Sequence, residues 1–424
     1  MKRLLATTAL VVVLAAPAMA QVKTPDRPVT DPKTVESPTN PQARSVPIAD
    51  IGASRSLGST AWSVDGKQIF VATNLSGRTN IWRTDAAGSW PVQLTQSDDS
   101  QSGLAASADG KYLYFRQDAG GNEYHDIYRV PVGGGAVENL TNSPDVREGD
   151  LLVGPGGMVA LTTKRRSEGQ ANVAVMAADG QVRILSKEAD PQYSWTPVAW
   201  LDGGKALIAN RDRVDSKIGE VWRLDVATGA ATRLISRADT VYDATDATSD
   251  GKWLAVTTDD GTGQLHAGLY DVAAKTWKWL KPTPWEQTSS VFTRDGKALL
   301  FGTNADARST LYRYDLASGA ETALAIPPGV NYLTGNDPRA PDGRTLMVSH
   351  SGADSPTNLY LYDMASDTSR PATQLAIASL LPEALPKSQV VTYKSFDGTL
   401  ISAIVTMPAN LKRDAGNQIG RAHV

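Results

Sequence analysis

The sequence predicts an all-β fold: a seven-bladed β-propeller over residues 48–380, with a β-hairpin behind it that opens a further sheet. Three observations carry this. A corner of the Asp-Gly-Lys kind recurs seven times, with its glycines at 66, 110, 156, 203, 251, 296 and 343, spaced 44–48 residues apart. That is the repeat length of a propeller blade, about 40–50 residues. The third strand of each unit alternates bulky apolar with polar residues (NIWRTD, DIYRVP, NVAVMA, EVWRLD, GLYDVA, TLYRYD, NLYLYD), as a strand with one buried face does. Near the end, QVVTYKS and TLISAIVTM flank a Phe396-Asp397-Gly398 corner and read as two paired strands.

Taken in chain order, residues 1–20 read as a secretory signal. Lys2 and Arg3 precede an apolar run over 4–15, and Ala18-Met19-Ala20 offers a small-x-small cleavage site. The run is shorter than the roughly 20 residues that span a bilayer. Cleavage after Ala20, a periplasmic or secreted location and no membrane span in the mature protein are therefore expected. Residues 21–47 hold six prolines among polar residues, too few apolar groups to offset ordering entropy, and are expected to be a flexible leader.

In six of the seven corners an Asp is expected to cap the turn through its carboxylate while Gly accepts positive φ, and the Lys of the Asp-Gly-Lys corners stays in solvent. The third corner is Pro155-Gly156-Gly157. Each unit between Gly58 and about Leu375 holds four strands of its own. The ring is thus expected to close by packing and strand-edge contact, without a strand shared between its first and last blades. The ten tryptophans, Trp62, Trp82, Trp200, Trp222 and Trp253 among them, recur near strand ends and are expected between blades. Residues 381–418 read as a linker and the hairpin. A lone hairpin is barely stable in water, so it is expected to start a larger sheet that this sequence does not complete. Residues 419–424 match one reading frame of a sequencing adapter and are expected to be foreign to the gene.

Composition narrows the chemistry. With 42 basic against 45 acidic residues there is no broad positive field for a phosphate backbone, and nucleic acid is not an expected partner. Zero cysteines rule out disulfides, thiolate metal sites and a cysteine nucleophile. No G-x-S-x-G, Walker loop, H-E-x-x-H or dinucleotide fingerprint occurs, so no catalytic residue, metal or cofactor is assigned. Asp243, Asp246 and Asp250 in YDATDATSDG have the wrong spacing for a calcium loop and read as solvated turn carboxylates. His266 and His350 read as structural.

The segment RQDAGGNEYHDIYRV gathers Asp118, Glu123 and His125 in one loop of blade 2, and TTKRRSEGQ sets Lys164, Arg165 and Arg166 in the matching loop of blade 3. Glu123, Arg165 and Arg166 are candidate rim residues for a bound peptide. The plainer alternative is hydrated loop charges that pair with one another.

The repeat, GGNEYHDIY, LTTKRRSEGQANVAVM and above all SQVVTYKSFDGTLISAIVTMPANL together resemble the prolyl oligopeptidase family of serine peptidases, in particular its acylaminoacyl-peptidase-like bacterial branch, over roughly residues 49–411. The resemblance implies a propeller of seven or eight blades ahead of an α/β-hydrolase domain, and the terminal hairpin looks like the strand pair with which that domain begins. It also implies short peptide substrates, no cofactor, and a Ser-Asp-His triad that would lie beyond Val424, so that none of it can be placed on this sequence. Dipeptidyl members hold the substrate's amino end with propeller glutamates, but no matching double-glutamate motif is present and Glu123 is not given that role. The chain is accordingly expected to be the substrate-gating part of an exported serine peptidase, truncated before its catalytic domain. The alternative is a stand-alone periplasmic propeller binding a protein or envelope partner, which leaves the hairpin without a sheet to join. A sugar-acting propeller would need paired carboxylates facing the tunnel. Acyl transfer needs nucleophile, base and oxyanion donors in one place. Purified residues 21–424 should therefore show no turnover of a chromogenic peptide ester, and turnover would overturn the truncated-peptidase expectation.

Overall fold

The computed structural model describes residues 27–28 and 34–412 apart from 354, 381, 382 and 384. The expected signal peptide and the adapter-like terminus lie outside the described residues. The seven corner glycines take φ of 64–69°, a left-handed conformation that glycine enters without a Cβ clash. In blade 1, Ser63 Oγ donates to Asp65 Oδ1 at 2.6 Å and Lys67 N to the same oxygen at 3.1 Å. Ser107 with Asp109, Thr248 with Asp250 and Thr293 with Asp295 repeat this clamp. The hydroxyl bond, followed by the backbone bond, holds Asp65 and Asp250 below the ordinary carboxyl range. Two corners depart from the expected cap. Residues 155–157 and 202–204 are single 3-10 turns, and Asp202 accepts from Arg223 at 2.7 Å.

Each corner folds the innermost strand of a blade onto the next strand. Seven four-stranded antiparallel sheets result, each made of four consecutive strands, over 57–93, 101–139, 146–184, 193–235, 242–279, 286–323 and 330–371. Among the described residues no strand is shared between blades 1 and 7, as four strands in every unit lead one to expect. Sheet faces that alternate apolar with polar must then be covered by neighbouring blades. Each of the seven junctions has its own apolar cluster. Between blades 1 and 2 it contains Phe70 and Phe115, both without solvent exposure, and burying such a side chain stabilises by about 1.5–3 kcal/mol. The closing junction sets Trp62, Ile69 and Val71 against Ala340, Met347, Leu359 and Leu361.

A second device ties blade to blade at the periphery. A cation near the outer edge of one blade donates to a backbone carbonyl of the next: Arg83 to Val132 at 2.8 Å, Arg183 to Val226, Lys278 to Leu316 at 2.6 Å, and Arg370 to Ala86. The last of these spans the closing junction. Trp62, Trp200, Trp222 and Trp253 do lie between blades, whereas Trp90 is 88% exposed.

The hairpin pairs Ser388–Lys394 with Leu400–Thr406. Asp397 accepts the Thr399 N–H at 2.9 Å. The leader differs from expectation. Arg27–Pro28 adds to this sheet parallel to Ser388–Lys394, and Val35 is buried with Val391 and Met407. Asn40 N donates to Asn410 Oδ1 at 2.9 Å, and Asn410 Nδ2 returns a bond to Asn40 O at 2.7 Å. The described part of the leader is therefore docked. Its composition could not show this, because its partners lie more than 340 positions away.

Phe301, 1% exposed in the cluster between blades 5 and 6, should cost about 3–5 kcal/mol when replaced by Ala. Trp90→Ala, at an exposed site, should stay within about 0.5 kcal/mol of the parent. Equilibrium denaturation measures both, and equal losses would contradict the assigned packing.

Candidate functional site

Four consecutive strands per blade put the corner turns on one face of the ring. The second-to-third-strand loops and the blade-to-blade connections fall on the other. The helix Ile48–Gly52 leads into the first inner strand, and the hairpin leaves the last blade, so both belong to this second face. Ser402 Oγ confirms the placement by donating to Asp306 Oδ1 at 2.6 Å, in the turn between the second and third strands of blade 6. Several exposed large apolar side chains lie on this hairpin face, while others, Val64 and Trp90 among them, lie on the corner side. Those of the hairpin face include Ile48 and Ile51 of the helix, Val214, Trp285, and Phe396, Leu400 and Ile404 of the hairpin.

The loops selected from the sequence lie on the same face. In blade 2, Asp118 is buried and accepts the backbone N–H of Glu123 at 3.0 Å. Asp99 Oδ1 holds Gly120 N at 2.8 Å. Glu123 takes φ of 63° and presents its side chain to solvent. From blade 3, the exposed Arg166 guanidinium lies 4.2 Å over the Tyr124 ring and 3.9 Å from Asp145. The structure thus brings the two loops together through Tyr124 and Arg166. Among the described residues no ion pair joins Glu123 to Arg165 or Arg166.

Beneath these loops sits a pair that sequence reasoning missed. Glu148, on the innermost strand of blade 3, is 3% exposed. Its Oε2 has no hydrogen-bond partner among the described residues, and neither does Nδ1 of His125. The backbone joins them, Glu148 N donating to His125 O at 2.9 Å. Burial pushes the Glu148 carboxyl up to about 7, against hydrogen bonds from Thr141 and Ser143. Burial, then the Arg116 charge, lowers His125. A charged residue in an inner strand, between Arg147 and Gly149, was the one available signal.

The run at 243–250 also departs from expectation. Only Asp250 caps a corner. Asp243 and Asp246 lie in the inner strand Tyr242–Ala247. Asp246 is paired with Arg339 at 2.9 Å, and Asp243 accepts from Asn210 at 2.5 Å. An inner strand faces its neighbours on both sides, so these carboxylates are enclosed rather than solvated. His350, expected to be structural, is buried against Tyr360 with Nδ1 at 2.8 Å from Asn331 Oδ1.

Two cavities accompany these features. One, of about 630 Å³, opens at the corner-face end of the central tunnel and is lined by the inner-strand ends of blades 1–6 and by Asn336, Asp337, Arg339 and Pro341 of blade 7. The other, of about 570 Å³, lies between blades 3 and 4. Its charges are internally satisfied: Glu188 takes Arg211 at 2.7 and 3.1 Å and Trp195 Nε1 at 2.6 Å, while Glu220 takes Arg211 at 3.0 Å and Trp222 Nε1 at 3.0 Å. Burial works against the ionised Glu188, but the Arg211 bonds outweigh it and bring its carboxyl to about 2. A closed network of this kind ties Glu188, Arg211 and Glu220 to one another and rigidifies the junction.

The class this architecture defines is a seven-bladed β-propeller with a small accessory sheet on one face. Its propeller is like those of prolyl peptidases. It is similar to a prolyl endopeptidase studied for inter-domain dynamics in catalysis, with a TM-score of 0.66 and 16% identity over 85% of this chain. It is also similar to a puromycin-hydrolysing peptidase of Mycobacterium tuberculosis, with a TM-score of 0.71 and 16% identity over 92% of this chain. At this identity the likeness is one of fold. The chain spans 55% and 63% of the lengths of those two proteins. No protein-family model matches it.

The raised Glu148 carboxyl sets a pH dependence. Its folded value of about 7 exceeds its ordinary 4.5, so between these values the folded state binds more protons than the unfolded one. Its contribution to stability is fully present below about 4.5 and is lost as pH rises through about 7. Glu148→Gln should flatten this decline, giving a higher urea midpoint than the parent at pH 8 and little difference at pH 4.5. Parallel pH profiles would show that the carboxyl is not perturbed.

Proposed function

We propose that this chain is the propeller portion of an exported serine peptidase acting on short peptides. Its Ser-Asp-His catalytic domain would stand on the hairpin face as an α/β-hydrolase whose sheet starts with Ser388–Lys394 and Leu400–Thr406. One observation carries this reading. In the described sheet the strand Leu400–Thr406 has a neighbour on one side only, and Leu400 and Ile404 are 66% and 52% exposed on it. A free edge beside apolar side chains is a pairing template that folded proteins normally cover. The added strands of a hydrolase sheet would cover it. The other exposed apolar residues of this face would meet the same domain. The share of the two similar peptidases that the chain spans accords with this arrangement.

In such an enzyme the propeller contributes access and orientation rather than bond cleavage. Glu123, Arg165 and Arg166 stand on the rim of the proposed cleft, where they can meet the charged ends of a peptide, and Tyr124 holds Arg166 in place. The nucleophile, the base and the oxyanion donors belong to the proposed domain. Export rests on the signal-like residues 1–20.

The test is the reading frame of the source DNA beyond codon 418 and the protein it encodes. The full-length product should react with a fluorophosphonate probe at one serine and hydrolyse short peptides. In it, replacing Arg165 and Arg166 together by Ala should raise KM several-fold with little change in kcat, since a rim contact binds substrate and transition state alike. A stop codon directly after Val424 would overturn the reading. So would improved solubility of an intact ring lacking 385–424 that retains a specific protein partner, which would favour a stand-alone binding propeller.

A further inference from the structure

The innermost strand of blade 7, Val330–Leu333, has four residues, whereas those of the other blades have six to nine. In each of those six the pairing with the second strand is broken by one register shift, for example between Leu57 and Thr60 or between Ser289 and Phe292. In blade 7 the interruption grows into an excursion over residues 334–340. It is pinned at its ends by Thr334 N to Met347 O at 3.1 Å and Ala340 N to Thr345 O at 2.8 Å.

This excursion enters the tunnel and bonds to four other blades. In blade 1, Trp62 Nε1 donates to Pro338 O at 3.1 Å. Gly335, at φ 97°, lies so close that a Cβ there would sit 2.8 Å from Thr60 O. Across the ring in blade 3, Leu151 O accepts from Asn336 Nδ2 at 2.7 Å. In blade 5, Asp246 takes Arg339 Nη1 at 2.9 Å. In blade 6, Phe292 O accepts from the same nitrogen at 2.7 Å. Arg294 of blade 6 reaches back to Ala340 O at 2.9 Å, Arg339 O at 3.0 Å and Asp337 at 3.0 Å.

We propose that residues 334–340 are a ring lock: one segment of the last blade, tied to blades 1, 3, 5 and 6 at the corner-face end of the tunnel, that takes the place of a shared strand. Side-by-side packing alone resists separation of blades 7 and 1 only at their own junction. With the lock, blade 7 cannot move outward without also breaking the bond to the opposite wall and pulling Arg339 from Asp246. Separating a buried charge pair is strongly disfavoured, because it leaves uncompensated charge in a poorly solvated site. Opening at this junction is thereby coupled to the far side of the ring. The inference concerns the ring itself and stands or falls apart from the peptidase reading.

Native-state hydrogen exchange on this chain tests it. Asn336→Ala removes the cross-tunnel donor and leaves the apolar closing cluster untouched. Exchange in residues 57–73 and 345–363 should speed up by about tenfold, the loss of one buried hydrogen bond, while residues 193–213 of blade 4 stay as protected as in the parent. Trp62→Phe keeps an aromatic ring and removes only the N–H to Pro338, and should act in the same direction. If Asn336→Ala fails to fold, Trp62→Phe is read by the same criteria. As a positional control, Asn210→Ala removes the bonds that join blade 4 to Asp243 and Ala244 of blade 5, and should loosen blades 4 and 5 alone. Unchanged protection at the junction of blades 7 and 1, or an equal rise in every blade, would overturn the lock.

Discussion

Apolar side packing between adjacent sheets is the interaction on which the rest of the structure depends. Each blade completes its own four-stranded hydrogen bonding, so the ladders contribute nothing to holding one blade to the next. That task falls to seven apolar clusters, to side chains that bond across a junction, and to single backbone bonds outside the ladders, such as Glu148 N to His125 O and Ser309 N to Gly329 O. The closing cluster is composed like the interior ones. It contains Trp62 and Met347 where its neighbours contain phenylalanine or tyrosine. A ring built this way has no covalent or ladder reinforcement at its weakest point, and polar contacts at the tunnel and the periphery carry more weight there than they would in a clasped ring.

The same topology sorts the surface into two unlike faces. The corner face is made of short reversals fixed by glycine and by Asp capping, with charged side chains in solvent. The opposite face has the longer loops, the blade-to-blade connections, the docked leader, the helix and the accessory sheet. Asymmetry of this kind puts the longer backbone segments, the apolar hairpin and the contact between Tyr124 and Arg166 on one side. A partner of any kind would meet a chemically distinct surface there, and the proposed catalytic domain is one such partner.

The blade count, the corners, the hairpin and the absence of a shared strand were legible in the sequence because each is a local pattern: a turn chemistry, an alternation or a spacing. What stayed hidden depends on partners far apart in the chain. Val35 is buried only because Val391 and Met407 meet it. Asp246 lies three residues from Asp243 and four from Asp250 and looks like them in sequence, yet it is enclosed because Arg339 and the Phe292 N–H converge on it from two other blades. Glu148 is abnormal because His125 and the blade 2 loops shut water away from it. The sequence showed Glu123 and Arg166 in matching loops of adjacent blades, but their mutual geometry, Arg166 on Tyr124 rather than on Glu123, depends on how two blades abut.

The self-contained blades have a consequence for chain connectivity. Since no ladder crosses from one repeat to the next, the order of the ring does not depend on which junction carries the chain ends. A circular permutant whose termini fall between blades 3 and 4, with the old ends linked, would preserve every sheet hydrogen bond of the propeller. The junction between blades 7 and 1 would then be held by a peptide link, and any hinge motion of the ring would move to the new gap.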